Sequence, residues 1–389
     1  MTDRIAGALL LSAYGDAAGL PHEVGGGLDG QVGDPGQEPL PVVDGFRKPE
    51  ATPWNIWFPA ERTAGMRGVV SDDTATKIGL VEPHLRFNPD RWEPPGDAAV
   101  IGEGFPLGGF ESGGFGGFRV WLEHLVKPEN PRPPGPMALA QARDWIAMFA
   151  AQEAGTPGRT VFYEPGVPVV FGPFLYQTLA LSPASAEASL RQVFDRFAGV
   201  CALDEGIAKT VTGVLAALTA AAVDAPHDEV RFGVWLRGML EHLRGVVRGS
   251  PGDEELVGRI DWLLQETSVG AEPDAFLAWM KRELYDHPER GPTRSSGLKP
   301  FDSLLQLSQV VACLLFGAGD PVRTMAVATN VPGDADTVPA FLGVVLGAWA
   351  GRDALMATPL GEGLAVVEAT TAALFGVSTD ERAAVYAVA

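Results

Sequence analysis

The chain has 389 residues, 46% apolar and 20% charged, enough to bury a core that needs neither a disulfide nor a metal to hold it together. A formal net charge of −20 argues against the basic face that sequence-independent nucleic-acid binding requires. The two cysteines, Cys201 and Cys313, sit far apart in apolar runs, which excludes a disulfide framework and predicts core residues in a reducing compartment.

In chain order, residues 3–15 place Ile5, Leu9, Leu10 and Ala13 on one side of a helix. The N-terminus shows no basic segment followed by an apolar stretch and a cleavage site, so a cytoplasmic location is expected. Gly- and Pro-rich segments follow at 24–68 and 86–119, separated by an amphipathic stretch bearing Ile78, Val81 and Leu85. Within the first, Gly25-Gly26-Gly27-Leu28-Asp29-Gly30 fits G-x-G-x-x-G, but no strand precedes it and no clear helix follows, so it reads as a loop. Residues 137–151 are helical in period and lie between two more such segments, 126–136 and 155–173. The best strand-like run, Val167 to Phe171, is short and interrupted by Pro168.

From residue 187 onward the chain reads as nearly continuous helix. Leu190, Val193, Phe194 and Phe197 share a face, as do Ile207, Val211, Val214, Leu215 and Leu218 within 204–223. Stretches 229–248, 254–266, 273–285 and 301–317 keep the same period. Val338 to Ala350 is the longest apolar run, short of the ~20 residues that cross a bilayer. The expectation is an all-α, compact single-domain orthogonal helical bundle, monomeric, with no membrane segment and with long loops of the kind that serve as lids or binding loops.

Two acidic clusters stand out. Ser71-Asp72-Asp73-Thr74 leads into the stretch containing Ile78, where helix capping explains it well. Gly333-Asp334-Ala335-Asp336-Thr337 leads into a helix that is apolar all round, and therefore buried, with Ala340, Gly343 and Gly347 allowing close approach of its neighbours. Capping uses one carboxylate there, not two, and a second buried carboxylate is costly unless a cation meets it. Together the clusters offer four carboxylates and several hydroxyls, hard oxygen donors that suit Mg²⁺ or Mn²⁺ and carry the charge to neutralise two such ions. The six histidines show no H-x-x-x-H pair and no nearby cysteine, which disfavours zinc, and no G-x-S-x-G elbow is present.

Asp334-Ala335-Asp336-Thr337-Val338 also fits the D-x-D-x-V pattern of aspartate-nucleophile phosphatases, but only about fifty residues follow it, too few for their doubly wound domain. Asp72-Asp73-Thr74-Ala75-Thr76 lacks the final acid of the D-D-x-x-D of helical isoprenoid synthases. The ordered set of motifs instead resembles the ADP-ribosylglycohydrolase family, the group that includes dinitrogenase-reductase-activating glycohydrolases. Gly15-Asp16-Ala17-Ala18-Gly19 with trailing Glu23 is similar to that family's opening helix. Ser71-Asp72-Asp73-Thr74 is similar to its [ST]-D-D-T, and Gly333-Asp334-Ala335-Asp336-Thr337 to its G-x-D-x-D-T.

The resemblance implies a helical domain with two Mg²⁺ or Mn²⁺ ions in a central cleft. Ser71, Asp72, Asp73, Asp334, Asp336 and Thr337 would be the ligands, and Asp16 would support them from behind. It implies hydrolysis of a glycosidic bond of ADP-ribose on a modified protein or a small ADP-ribosyl compound. Metals about 3.5–4 Å apart would activate the attacking water. Asp73 or Asp336 would take its proton, and Glu23 would position substrate or water over the cleft. The family's middle G-N-G-x-x-M-R segment has only a poor counterpart in Gly166 to Pro173. The glycine-rich stretch Ser112 to Arg119, with Gly114, Phe115 and Gly116, is the candidate substrate loop in its place, with Phe115 or Phe118 available to stack on adenine. A non-catalytic crystallin-like member, or a hydrolase of another nucleotide conjugate, is the alternative.

Overall fold

The computed structural model describes residues 1–20, Thr63, 65–82, 172–182, 189–200, 206–227, 230–267, 271–291 and 302–388, with isolated positions between 122 and 150. They form α1 (Thr2–Gly19), α2 (Asp72–Thr76) running into a π-helical turn (Lys77–Val81), α3 (Gly172–Leu179), α4 (Leu190–Val200), α5 (Ile207–Asp224), α6 (Phe232–Val246) and α7 (Asp253–Glu266). Then come α8 (Pro273–Met280) with a second π-helical turn (Lys281–Tyr285), α9 (Ser303–Gly317), α10 (Pro321–Ala328), α11 (Thr337–Ala350), α12 (Arg352–Met356), α13 (Gly361–Phe375) and α14 (Thr379–Val388). No β-strand occurs among the described residues, and the all-α expectation holds. Cys201 and the strand-like Val167 to Phe171 lie outside them.

Local chemistry sets several helix ends. Asp302 accepts the Leu305 N–H at 2.9 Å and starts α9. Ala318, in the left-handed region at φ 51°, stops it. Two residues later Asp320 accepts the N–H groups of Val322 and Arg323, and Pro321 fits the first helical position, so α10 begins. That Asp-Pro pair is the local signal for a helix that periodicity alone does not assign.

The centre of the molecule is the pairing of α1 with α11. Sequence periodicity gives α1 one apolar side, but every residue from Ile5 to Gly19 is buried, including Ser12 and Asp16. The physical reason is the glycine spacing. A Cβ on Gly7 would stand 2.6 Å from Gly347 O, one on Gly343 would stand 2.7 Å from Leu11 O, and one on Gly15 would stand 2.5 Å from Pro339 O. A Cβ on Gly19 would overlap Ala335 O. Each step of four forward along α1 matches a step of four back along α11, so the helices are antiparallel with backbones in direct contact. This register carries the C-terminal end of α1, with Asp16, to the N-terminal end of α11, with Asp336.

Around this pair, α11 also packs on α9 and α5, while α12, α13 and α14 pack against α1. Helix α5 is long and apolar enough to span a bilayer by length and composition, but 78% of it is buried among its neighbours. It behaves as a core helix touching α3, α4, α9 and α11. It is longer than the Val338–Ala350 run that sequence alone ranks first.

The C-terminal helix is tied to the residues after α2 by a buried ion pair. Arg382, 2% exposed, meets fully buried Glu82 through Nε at 3.0 and 2.9 Å and through Nη2 at 2.8 Å. Tyr386 donates its hydroxyl to the same carboxylate at 3.4 Å. Burial and the neighbouring Glu82 charge push the Tyr386 phenol well up. Removing one partner of such a pair leaves an uncompensated charge, at a cost of about 3–5 kcal/mol. Urea denaturation of Arg382→Met is expected to show a loss of that size, and Glu82→Leu/Arg382→Met is expected to recover most of it.

Candidate functional site

Ser71 is the N-cap of α2, its hydroxyl accepting the Asp73 N–H at 3.3 Å. Asp16 reaches across from α1 and accepts two further N–H groups, from Ser71 at 2.8 Å and Thr74 at 2.9 Å. The Ser71–Thr74 turn is thereby held on the central helix by one carboxylate. The second cluster is organised the same way. Gly333, at φ 104°, makes a turn that an L side chain rarely adopts, and Asp336 caps α11 by accepting the Thr337 N–H at 2.9 Å.

Capping thus accounts for Ser71 and Asp336 and leaves Asp73 and Asp334 unexplained. Asp73 is 2% exposed and Asp334 1%, and Asp73 Oδ2 and Asp334 Oδ1 are buried oxygens that receive no hydrogen bond. Gln306 of α9 donates to Asp334 Oδ2. An unpaired buried carboxylate oxygen costs several kcal/mol unless a cation or a proton meets it.

The two clusters, some 260 residues apart in sequence, meet in space. Burial first, and then the Asp336, Asp16, Asp72 and Asp334 charges, push the Asp73 carboxyl well above the usual range. Burial and the Asp336 charge do the same to Asp334, and burial raises Asp336 itself, opposed first by a hydrogen bond with the Asp334 side chain and then by the Asp336 and Thr337 backbone and the Ser71 hydroxyl. Asp16 is pushed up to about 6 by burial and by Asp336. Asp72 is half-buried at the same turn, and Thr337 is buried beside Asp336. Among the described residues no three His, Cys, Asp or Glu side chains close a metal cage by themselves. The donor set remains one of hard oxygens, hydroxyls included, with unpaired carboxylate oxygens among them, which is what Mg²⁺ and Mn²⁺ favour.

Of the residues singled out from sequence, Asp16, Ser71, Asp72, Asp73, Asp334, Asp336 and Thr337 are brought together. Glu23, Gly114, Phe115 and Gly116 lie outside the described residues. Sequence reasoning missed Gln306 and Lys77. Gln306 is one of four buried polar residues on its helix, with Ser303, Ser308 and Gln309, so the sequence does not single it out. Lys77, 1% exposed, opens the π-helical turn after α2 and donates to Ser12 Oγ at 3.0 Å.

No curated protein sequence matches the chain. A solved structure described as an ADP-ribosylglycohydrolase-related protein complex is similar to it at 19% identity and a TM-score of 0.46, over 94% of this chain and 97% of that one. The model of the ADP-ribosylglycohydrolase family matches residues 1–383. With the match running through both acidic clusters and the helix that joins them, the chain belongs to the ADP-ribosylglycohydrolase family, hydrolases that act on ADP-ribosylated substrates.

Proposed function

We propose that this chain releases ADP-ribose from a modified protein side chain or a small ADP-ribosyl conjugate, with a dinuclear Mg²⁺ or Mn²⁺ centre between α2 and α11. The observation that carries the reading is the pair of unpaired buried oxygens, Asp73 Oδ2 and Asp334 Oδ1, on clusters that the α1–α11 register brings face to face. Ser71, Asp72, Asp73, Asp334, Asp336 and Thr337 would hold the ions, with hydroxyls and solvent completing what the carboxylates alone do not enclose. Such ions, when bound, supply Lewis acidity and a water of lowered pKa.

The rest is done by the chain's own residues. Asp16 fixes the Ser71–Thr74 turn through two backbone N–H groups. Gln306 orients Asp334 from the side opposite its unpaired oxygen. Asp73 is the better proton acceptor of the two candidate bases, because Asp336 already accepts the Thr337 N–H whereas Asp73 Oδ2 accepts nothing. Glu23 and the Gly114–Gly116 loop are assigned to the substrate side of the cleft on the family resemblance. The test is ADP-ribose release from a panel of arginine-, serine- and small-molecule conjugates, each with Mg²⁺, Mn²⁺ or chelator. Release that needs the cation supports the reading, and release that is unchanged in chelator overturns the metal centre.

A further inference from the structure

The acid cluster contains a cation of its own. Lys77 is 1% exposed, and its ammonium donates a hydrogen bond to Ser12 Oγ at 3.0 Å. Its surroundings come from four elements. Asp73 on α2 and Asp16 on α1 attract it, as does Glu82 at the end of its own turn, while Arg382 on α14 opposes it. The Phe341 ring of α11 lies 6.0 Å from Nζ. A buried lysine is costly to keep charged. Burial, the largest influence, lowers the Lys77 pKa, and the Asp73, Asp16 and Glu82 charges act against it; Glu82 is already engaged by Arg382, which leaves Asp73 and Asp16 as the charges that the ammonium answers.

Charge counting gives this residue a role. The clusters read from sequence supply four carboxylates, matching two divalent ions. The structure adds Asp16 as a fifth, fully buried and electrostatically joined to Asp336. Five carboxylates exceed two divalent ions by one negative charge, and Lys77 is the one buried ammonium beside them among the described residues. We propose that Lys77 is a built-in counter-ion of the carboxylate cluster, a positioning residue that balances the fifth carboxylate and holds the acids together before divalent ions arrive. This rests on the metal reading above. The π-helical turn serves the role: Glu82 N–H closes on Lys77 O, and the widened turn directs the lysine inward to Ser12 rather than to solvent.

A fixed positive charge near a cation site has two effects of opposite sign, which a packing role does not produce. It stabilises the metal-free acids and weakens divalent-ion binding. Lys77→Met is therefore expected to melt at a lower temperature than wild type in chelator, yet to bind Mn²⁺ about tenfold tighter by titration calorimetry. Its melting temperature should rise more on adding Mn²⁺ than that of wild type. Lys77→Gln, which keeps a donor for Ser12 but removes the charge, should do the same. If wild type binds no Mn²⁺, the metal reading fails and this inference goes with it. If wild type binds Mn²⁺ and both variants bind it equally or more weakly, the counter-ion role alone is overturned. Recovery of both variants only as unfolded protein, even with Mn²⁺ present, would make the ammonium a requirement of the fold and would likewise overturn it.

Discussion

Gly347→Val is expected to abolish the native fold, with a loss of more than about 4 kcal/mol, while Gly258→Ala on the outer face of α7 stabilises it by roughly 0.5–1 kcal/mol. Both glycines are helical, so helix propensity favours replacing either one. The difference lies in what a Cβ would meet. At Gly258 there is open space within 4 Å; at Gly347 a Cβ would overlap the carbonyl of Gly7, with Ala8 Cα 2.8 Å away. Backbone cannot rotate aside as a side-chain tip can, so the only relief is to push α1 off α11. That separation would also part Asp16 from Asp336, because the same register sets both contacts. Urea denaturation followed by circular dichroism checks the pair, and equal effects at the two positions would refute the close-contact account. Gly343→Val, against Leu11 O and Ser12 Cα, is expected to behave like Gly347→Val.

The chemistry-bearing residues are legible in the sequence where they break a local rule. Two carboxylates ahead of an apolar helix are more than capping needs, and that excess alone marks Asp334 and Asp336. Asp73 is harder, since Ser71-Asp72-Asp73 by itself is what an ordinary cap looks like; only the folded geometry shows that Ser71 does the capping and that Asp73 Oδ2 is left unpaired. Lys77 and Gln306 are invisible for a different reason. A lysine among Thr76 and Ile78 reads as a surface residue, and its burial depends on Ser12, Asp16 and Arg382, which are distant in sequence. The antiparallel match of Gly7, Gly15 and Gly19 to Gly347, Pro339 and Ala335 is likewise a property of two segments jointly, although each segment's small residues are on view. In α14 the buried face is Thr379, Arg382, Ala383 and Tyr386, half of it polar, so an apolar pattern does not mark that helix in the sequence. The placement of α12 to α14 depends on tertiary ties such as Arg382 to Glu82 and Arg352 to Glu368 and Asp380.

Asp73→Asn is expected to lower ADP-ribose release by at least about a thousandfold, as its proposed role as metal ligand and proton acceptor requires, and yet to make the metal-free protein more stable near neutral pH. The second effect follows from linkage. Asp73, Asp334, Asp336 and Asp16 all have carboxyls raised in the folded state, Asp16 to about 6. The native cluster therefore holds protons that the unfolded chain has already lost. Stability from this source is fully present below the ordinary aspartate pKa of about 4 and is lost as pH rises through the folded values. Without cations, wild type should melt at a progressively lower temperature as pH rises from about 4 past 6. The neutral asparagine, which keeps its backbone N–H on Ser71 Oγ, should flatten that decline. Under the proposed metal centre, divalent ions should reverse the slope, because they would bind the ionised carboxylates: the rise in melting temperature on adding Mn²⁺ should be small at pH 5 and large at pH 8 in wild type, and nearly absent in Asp73→Asn. A merely structural aspartate would give the opposite pattern, with the variant less stable in chelator at every pH and its response to Mn²⁺ intact. Melting curves of the two proteins at pH 5 and pH 8, with Mn²⁺ and with chelator, separate these cases, because the loss of the Mn²⁺ response together with the gain in chelator is expected of a carboxylate that a cation would meet and not of one that only caps or packs.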